Sequence, residues 1–267
     1  MDSILGVAKH AAQQAGLFIQ TAAKDLSVLN VEQKSLHDYV SEVDREAELI
    51  ITNLIKQHFP KHRVLGEEYG DSGQHDCDYQ WLVDPLDGTT NFLRSIPHYA
   101  VSIGVMSAGV LEHGVVFDPL KNEMFSASRG KGARLNGNLM RVSQTQSVHG
   151  SLLSTGIPFS GPAMQNIAGF SNTMCDLLDQ DISGIRRLGS AALDLAYVAA
   201  GRYDGFWEGY LQLWDIAAGV LLVQEAGGLV TDLNGKDSHL FSGNVLAANA
   251  MVHADMLKVT RVNYVSE

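Results

Sequence analysis

Apolar residues recur every three or four positions at Ile4, Ala8, Ala11, Ala15, Phe18 and Ala22, which predicts an amphipathic helix within residues 1–26. A polar stretch follows from Asn30. A second helix is expected from about Ser41 to Phe59, with Val43, Ala47, Ile50, Leu54 and Ile55 on one face. Ser41 is placed to cap it and Pro60 to end it. Val64-Leu65 then leads into Gly66-Glu67-Glu68. Trp81-Leu82-Val83 predicts a short buried strand that stops at Asp84-Pro85. Val101, Ile103 and Val105 alternate, Ser107-Ala108-Gly109 turns the chain, and further strands follow at Val115–Phe117 and Met124–Ala127. In the second half, helices are expected over Ser190–Ala200 and Asp215–Ala226, ended by Gly201 and by Gly227-Gly228, with strand-like Phe206–Glu208 between them. Strands and helices in mixed order predict layered α and β structure, not a regular βαβ repeat.

A chain of 267 residues suits one domain over 1–267, with two closely packed halves of about 1–145 and 146–267. The net charge of -11 argues against a surface built to coat nucleic acid or an anionic membrane. If the ligand is an anion, something positive must attract it, and bound metal ions would serve. The two cysteines, Cys77 and Cys175, form no CxxC pair, so a zinc site of that kind is not expected and a reducing cytoplasm is. No uncharged apolar stretch is long enough to span a bilayer. The ten histidines are scattered without an HxxxH pair; His98, just after Pro97, is the one near candidate chemistry. Arg186-Arg187 reads as a solvated or interfacial pair.

The chemistry concentrates in acids at element boundaries: Asp44, Glu67-Glu68, Asp84 and Asp87 within Asp84–Phe92, and Asp215 after Trp214. Each has a structural reading alone. Asp44 lies near a capping-box position, Glu67-Glu68 can be solvated loop acids, Asp87-Gly88-Thr89 can be a turn, and Asp215 can cap its helix. Together they offer oxygen ligands suited to a hard cation. Gly88 lets a ligand approach the backbone, and Thr89-Thr90-Asn91 can open a helix whose free N–H groups attract phosphate. No Ser/His/Asp or Cys/His constellation is present, so no covalent intermediate is expected.

The run Asp84-Pro85-Leu86-Asp87-Gly88-Thr89-Thr90-Asn91-Phe92 resembles the inositol monophosphatase family, as does Trp214-Asp215-Ile216-Ala217-Ala218-Gly219. The segment from Lys34 through Asp38-Tyr39-Val40-Ser41 to Asp44 is similar as well. Arg186–Tyr197 looks most like the bacterial branch, while Leu211-Gln212-Leu213 departs from its Leu-Lys/Arg-Pro pattern. The resemblance implies an α/β (α+β) fold, a layered α/β/α/β/α sandwich. It also implies Mg²⁺-dependent, lithium-sensitive hydrolysis of a small phosphorylated polyol or sugar such as myo-inositol monophosphate, with two or three ions per site, usually in a homodimer. By the same resemblance, Glu67, Asp84, the Leu86 carbonyl, Asp87 and Asp215 hold metal. Glu67 and Thr89, supported by Asp44, position the attacking water. Asp87, Gly88, Thr89, Ala192, Glu208 and Asp215 contact substrate, and Glu68 supports. Fructose 1,6-bisphosphatase or broad sugar phosphatase activity is the rival within enzymes. Some bacterial relatives act with transcription or ribosome-assembly machinery, so a binding role is the rival outside them.

Overall fold

In a computed structural model, residues 3–24, 31–35, 38–74, 76–158 and 161–264 are described. The chain opens with α1 (Ile4–Ala22), the hairpin β1 (Val31–Ser35) and β2 (Asp38–Ser41), and α2 (Glu42–His58). There follow β3 (Arg63–Gly66), β4 (Gly70–Ser72), β5 (Tyr79–Asp87), the short α3 (Thr89–Leu93), β6 (Ala100–Ser107), β7 (Val110–Asp118), β8 (Glu123–Ser128), β9 (Ala133–Leu135) and β10 (Asn138–Leu139). The second half holds β11 (Leu152–Thr155), α4 (Ile167–Leu178), β12 (Gly184–Arg186), α5 (Ala191–Ala199), β13 (Gly205–Glu208), α6 (Leu213–Glu225), β14 (Leu229–Thr231), α7 (His239–Ser242), β15 (Val245–Ala248) and α8 (Ala250–Asn263).

Two sheets carry the fold. One has eight strands in the order β10-β9-β8-β7-β6-β5-β3-β4, and the other five in the order β12-β11-β13-β15-β14. Strand alternation explains how both faces of each sheet are covered. In β5, Trp81 and Val83 pack with α1 and α2, while Leu82 faces the other way onto α5 and α6. In β13, Phe206 joins that central core and Trp207 points out toward α4 and α8. The layers therefore run α1/α2, large sheet, α5/α6, small sheet, α4/α8: the expected α/β/α/β/α sandwich. The helices α5 and α6 are buried almost all round, as befits a layer between two sheets. The outer helices α4 and α8 have no counterpart in the sequence reading above.

The central layer sits close to the large sheet because two glycines make room. Gly104 and Gly114 are partners across β6 and β7. A Cβ on Gly104 would lie 2.7 Å from Ala217 Cβ, and one on Gly114 would lie 2.8 Å from the Ala218 carbonyl oxygen. Backbone contact of this kind presses α6 onto the sheet, and the Ser102 hydroxyl donates to the Trp214 carbonyl at 3.2 Å beside it. The α6 N-terminus is thereby held against the end of β5. Gly114→Ala is expected to force α6 away and to lower stability by about 1–3 kcal/mol, read from the urea denaturation midpoint; an unchanged midpoint would show that the close approach is not needed.

Candidate functional site

The strand expected to stop at Asp84-Pro85 runs on to Asp87. Its register against β6 slips between Asp84, opposite Ser102, and Asp87, opposite Ala100, so β5 carries one residue more than its partner there. Pro85 has no N–H to give the ladder, and a bulge is where a strand tolerates that. Asp84 Oδ1 accepts a hydrogen bond from Leu86 N at 3.0 Å, which folds the bulge around the carboxylate. Gly88 then turns with φ of 97°, a left-handed value, and a Cβ there would lie 3.1 Å from the His98 carbonyl oxygen and 3.2 Å from that of Gly189. The Thr89 hydroxyl stands 2.9 Å from Asp44 Oδ1 and 3.1 Å from the Leu86 carbonyl. It has one proton, so it donates to one of them at a time. Asn91, buried behind this turn, donates to the His98 and Leu188 carbonyls at 2.7 and 2.8 Å and ties the segment to the second half of the chain.

Second-half elements complete the site. Asp87 Oδ2 accepts from the Ser190 hydroxyl at 2.6 Å and from Ala192 N at 2.8 Å, placing its charge at the N-terminus of α5. Asp215, in the first turn of α6, accepts from Gln212 N at 2.8 Å. Its reading as a helix-capping acid is therefore correct as far as it goes. Yet Glu67, Asp84, Asp87 and Asp215 also line one cavity of about 540 Å³, with Leu86, Gly88, Thr89 and Glu208. Ala192 acts from behind through its N–H to Asp87, and Asp44 from behind Thr89.

Burial governs the electrostatics, with repulsion between neighbouring acids second. Burial, then repulsion from Glu67, Asp87 and Asp215, holds the Asp84 carboxyl well above the usual range. Burial raises Asp87 to about 6 against the pull of its Ser190 and α5 hydrogen bonds. Asp215 is raised by burial, Asp87 and Glu67. Glu208 is pushed to about 8 by burial and Asp87, with Arg187 and the Gly156 N–H pulling the other way. As the side chains stand, no three acidic, imidazole or thiol groups among the described residues are gathered tightly enough to hold an ion. Asp84, Asp87 and Asp215 are instead turned onto hydrogen bonds of their own frame. The donor set nonetheless suits a hard divalent cation: oxygen ligands only, on one cavity, with mutual repulsion that a cation would relieve.

Residues 1–265 match the model of the inositol monophosphatase family. The chain belongs to that family. It is 49% identical to the Nus factor SuhB of Pseudomonas aeruginosa over 251 residues, covering 93% of this chain and 92% of that protein. The solved structure of the extragenic suppressor protein suhB from Bartonella henselae superposes with a TM-score of 0.93 at 40% identity, covering 97% of this chain and 98% of that one. The inositol monophosphatase from Anabaena (Nostoc) superposes with a TM-score of 0.81 at 36% identity, over 96% and 94% of the two chains.

Three features of this family member escaped the sequence reading. Glu48 is buried on α2 one turn after Asp44, and its carboxylate accepts from Glu68 N at 2.7 Å and Tyr69 N at 3.1 Å. Gly66 leaves room for it. The signal was present: Asp44 and Glu48 fall on the same face as Ala47, Ile51 and Ile55, where acids stand out. Asp194 lines the cavity although it reads as one more helix residue. Arg187, read as solvated or interfacial, lines the cavity too. The Glu68 backbone N–H donates to Glu48 and so ties the turn after β3 to α2. The side chains of Lys34 and of Asp38–Ser41 lie outside those described.

His98 does not reach the cavity. It is buried against the Tyr197 ring, with Nε2 lacking a hydrogen-bond partner among the described residues. Burial lowers its pKa to about 4. The folded imidazole stays neutral while the unfolded one takes a proton below about 6.5, so stability is lost as pH falls through that window. In His98→Gln the decline of unfolding free energy from pH 6.5 to 4 is expected to be shallower than in the wild type; parallel curves would refute the assignment. Glu48→Gln is expected to lower stability by about 1–3 kcal/mol, since the amide presents only one acceptor oxygen to two N–H groups. An unchanged denaturant midpoint would show that the turn holds without that carboxylate.

Proposed function

We propose that the chain is a Mg²⁺-dependent phosphomonoesterase for a small phosphorylated polyol, with myo-inositol monophosphate as the first candidate. The observation that carries this is the convergence of Glu67, Asp84, Asp87 and Asp215 on one cavity beside the Thr89–Asp44 pair. Glu67, Asp84, the Leu86 carbonyl, Asp87 and Asp215 would hold Mg²⁺, which when bound lowers the pKa of water and stabilises a leaving alkoxide. When Thr89 gives its proton to Asp44 Oδ1, its oxygen keeps lone pairs that accept from a water and orient it. Glu67, which follows β3 and lines the same cavity, would help position that water. Gly88 has no side chain to block a phosphate from the N–H groups of Gly88 and Thr89. Glu208 and Ala191, at the start of α5, line the wall that would meet the alcohol, with the expected contact at Ala192 replaced by its N–H to Asp87. A homodimer and a cytoplasmic setting belong to the same proposal; among the described residues no helix is long and apolar enough to cross a membrane.

A second role is favoured by the relatives themselves. The proteins 49% identical in Pseudomonas aeruginosa and 45% identical in Escherichia coli carry the name Nus factor. We infer that this chain also binds a transcription or ribosome-assembly partner, independently of catalysis.

Phosphate release should be measured from myo-inositol 1-phosphate, fructose 1,6-bisphosphate and 3′-phosphoadenosine 5′-phosphate, with and without Mg²⁺ and lithium. Mg²⁺-dependent, lithium-blocked turnover of the inositol ester is expected, and Asp84→Asn should reduce it at least about 100-fold. Preference for the bisphosphate would move the substrate and keep the site, with Arg94 and Arg187 at the cavity as the cations for a second phosphate. No turnover of any ester by folded, Mg²⁺-loaded protein would leave the partner-binding role as the function.

A further inference from the structure

Asn91 lies in α3, four residues after Asp87, with 6% of its surface exposed, and the scheme above gives it no part. Its Nδ2 stands 2.7 Å from the His98 carbonyl oxygen, 2.8 Å from that of Leu188 and 3.4 Å from that of Gly189. Three carbonyl oxygens around one atom identify it as the amide nitrogen, and its two protons are spent on them. Asn91 thus grips the loop of residues 187–190 between β12 and α5. Asp87 grips the far end of the same loop with the opposite chemistry, its Oδ2 accepting from the Ser190 hydroxyl and from Ala192 N. The Gly88 backbone is threaded between the two. A Cβ there would lie 3.1 Å from the His98 carbonyl oxygen and 3.2 Å from that of Gly189, two of the oxygens around the Asn91 amide. Turn and loop therefore meet with no slack.

The two grips respond differently to a cation. An ion on the Asp87 carboxylate draws on the same lone pairs that Ser190 and Ala192 use, so it weakens the hold of Asp87 on the loop. The Asn91 amide is neutral, donates only to carbonyls and does not compete with the ion. Were Asp87 alone to hold the loop, ion and loop would contend for one carboxylate. With Asn91 in place the loop stays against the turn, and the Ser190 and Ala192 donors remain aimed at Asp87. Hydrogen-bond partners that orient a liganding side chain typically matter about 10–100-fold in metal affinity. Asn91 stands one step further out and acts on Asp87 through the loop that carries those partners.

We propose that Asn91 is a positioning residue that locks the 187–190 loop against the Gly88 turn, so that Asp87 keeps its orientation when it takes a cation. The inference rests on the cation-holding reading of the cavity and deepens it by naming a residue that acts on the ligand set through another segment. It is tested by calorimetric titration of Mn²⁺ into the wild type, Asn91→Leu and Leu177→Ala, with wild-type turnover of myo-inositol 1-phosphate measured alongside. Asn91→Leu nearly keeps the size of the side chain and removes both donors. Leu177→Ala opens a void under the outer helix α4, away from the cavity, and is the control for lost stability alone. The Kd for Mn²⁺ should rise about fivefold or more in Asn91→Leu and stay within about twofold in Leu177→Ala. A smaller rise in Asn91→Leu, or an equal rise in Leu177→Ala, overturns the proposal. Should Asn91→Leu fail to fold, Asn91→Ala takes its place with the same expectations. If the wild type binds Mn²⁺ but hydrolyses no ester, the phosphatase reading falls and the comparison of Kd values still decides. If the wild type binds no Mn²⁺, the cation-holding reading falls and takes this inference with it.

Discussion

Four carboxylates brought onto one cavity are the constraint around which this structure is organised. Burial raises the pKa values of Asp84, Asp87 and Asp215, and repulsion between like charges in the same site adds to the rise at Asp84 and Asp215. Left to themselves such groups would push the site open. Each is therefore held by its own element: Asp84 by the β5 bulge, Asp87 by the N-terminus of α5, and Asp215 by the backbone at the start of α6. The Glu67 turn is fixed from below by Glu48. Such a set is unfavourable as a structural device, since apolar residues would pack there without the charge. It makes sense as a device for holding a cation.

The fold supplies the rigidity this needs. The four acids come from three separate segments, the turn after β3, the end of β5 and the start of α6, and the central α5/α6 layer brings the second-half elements onto the end of β5. Gly104 and Gly114 let α6 lie against the large sheet, and Asn91 binds the α3 turn to the loop before α5. Asp87 is itself a link between halves, because its partners Ser190 and Ala192 lie more than a hundred residues away. A disturbance in the middle layer thus reaches the site directly, without passing through surface loops.

Much of this was legible in the sequence where a local rule and a chemical need coincide. Alternation marked the large-sheet strands, glycines marked the ends of α5 and α6, and the acids at element boundaries marked the cavity. The layered sandwich followed from the family resemblance and is what the chain adopts. The continuation of β5 past Pro85 was not legible, because a bulge depends on the partner strand, which a local pattern does not reveal. Glu48 and Asp194 were hidden for a related reason. Each sits in a helix whose period reads as ordinary, and only tertiary packing shows that one supports a turn and the other faces the cavity.

The most direct measurement is anomalous diffraction from crystals of the protein soaked with Mn²⁺, a scattering stand-in for Mg²⁺ with similar oxygen-ligand preferences. Anomalous density in the cavity, bounded by Glu67, Asp84, Asp87 and Asp215, is expected in the wild type and should vanish in Asp84→Asn crystals. An empty cavity at a Mn²⁺ concentration that loads other sites, or density only elsewhere on the molecule, contradicts the claim that these acids are a cation-holding centre.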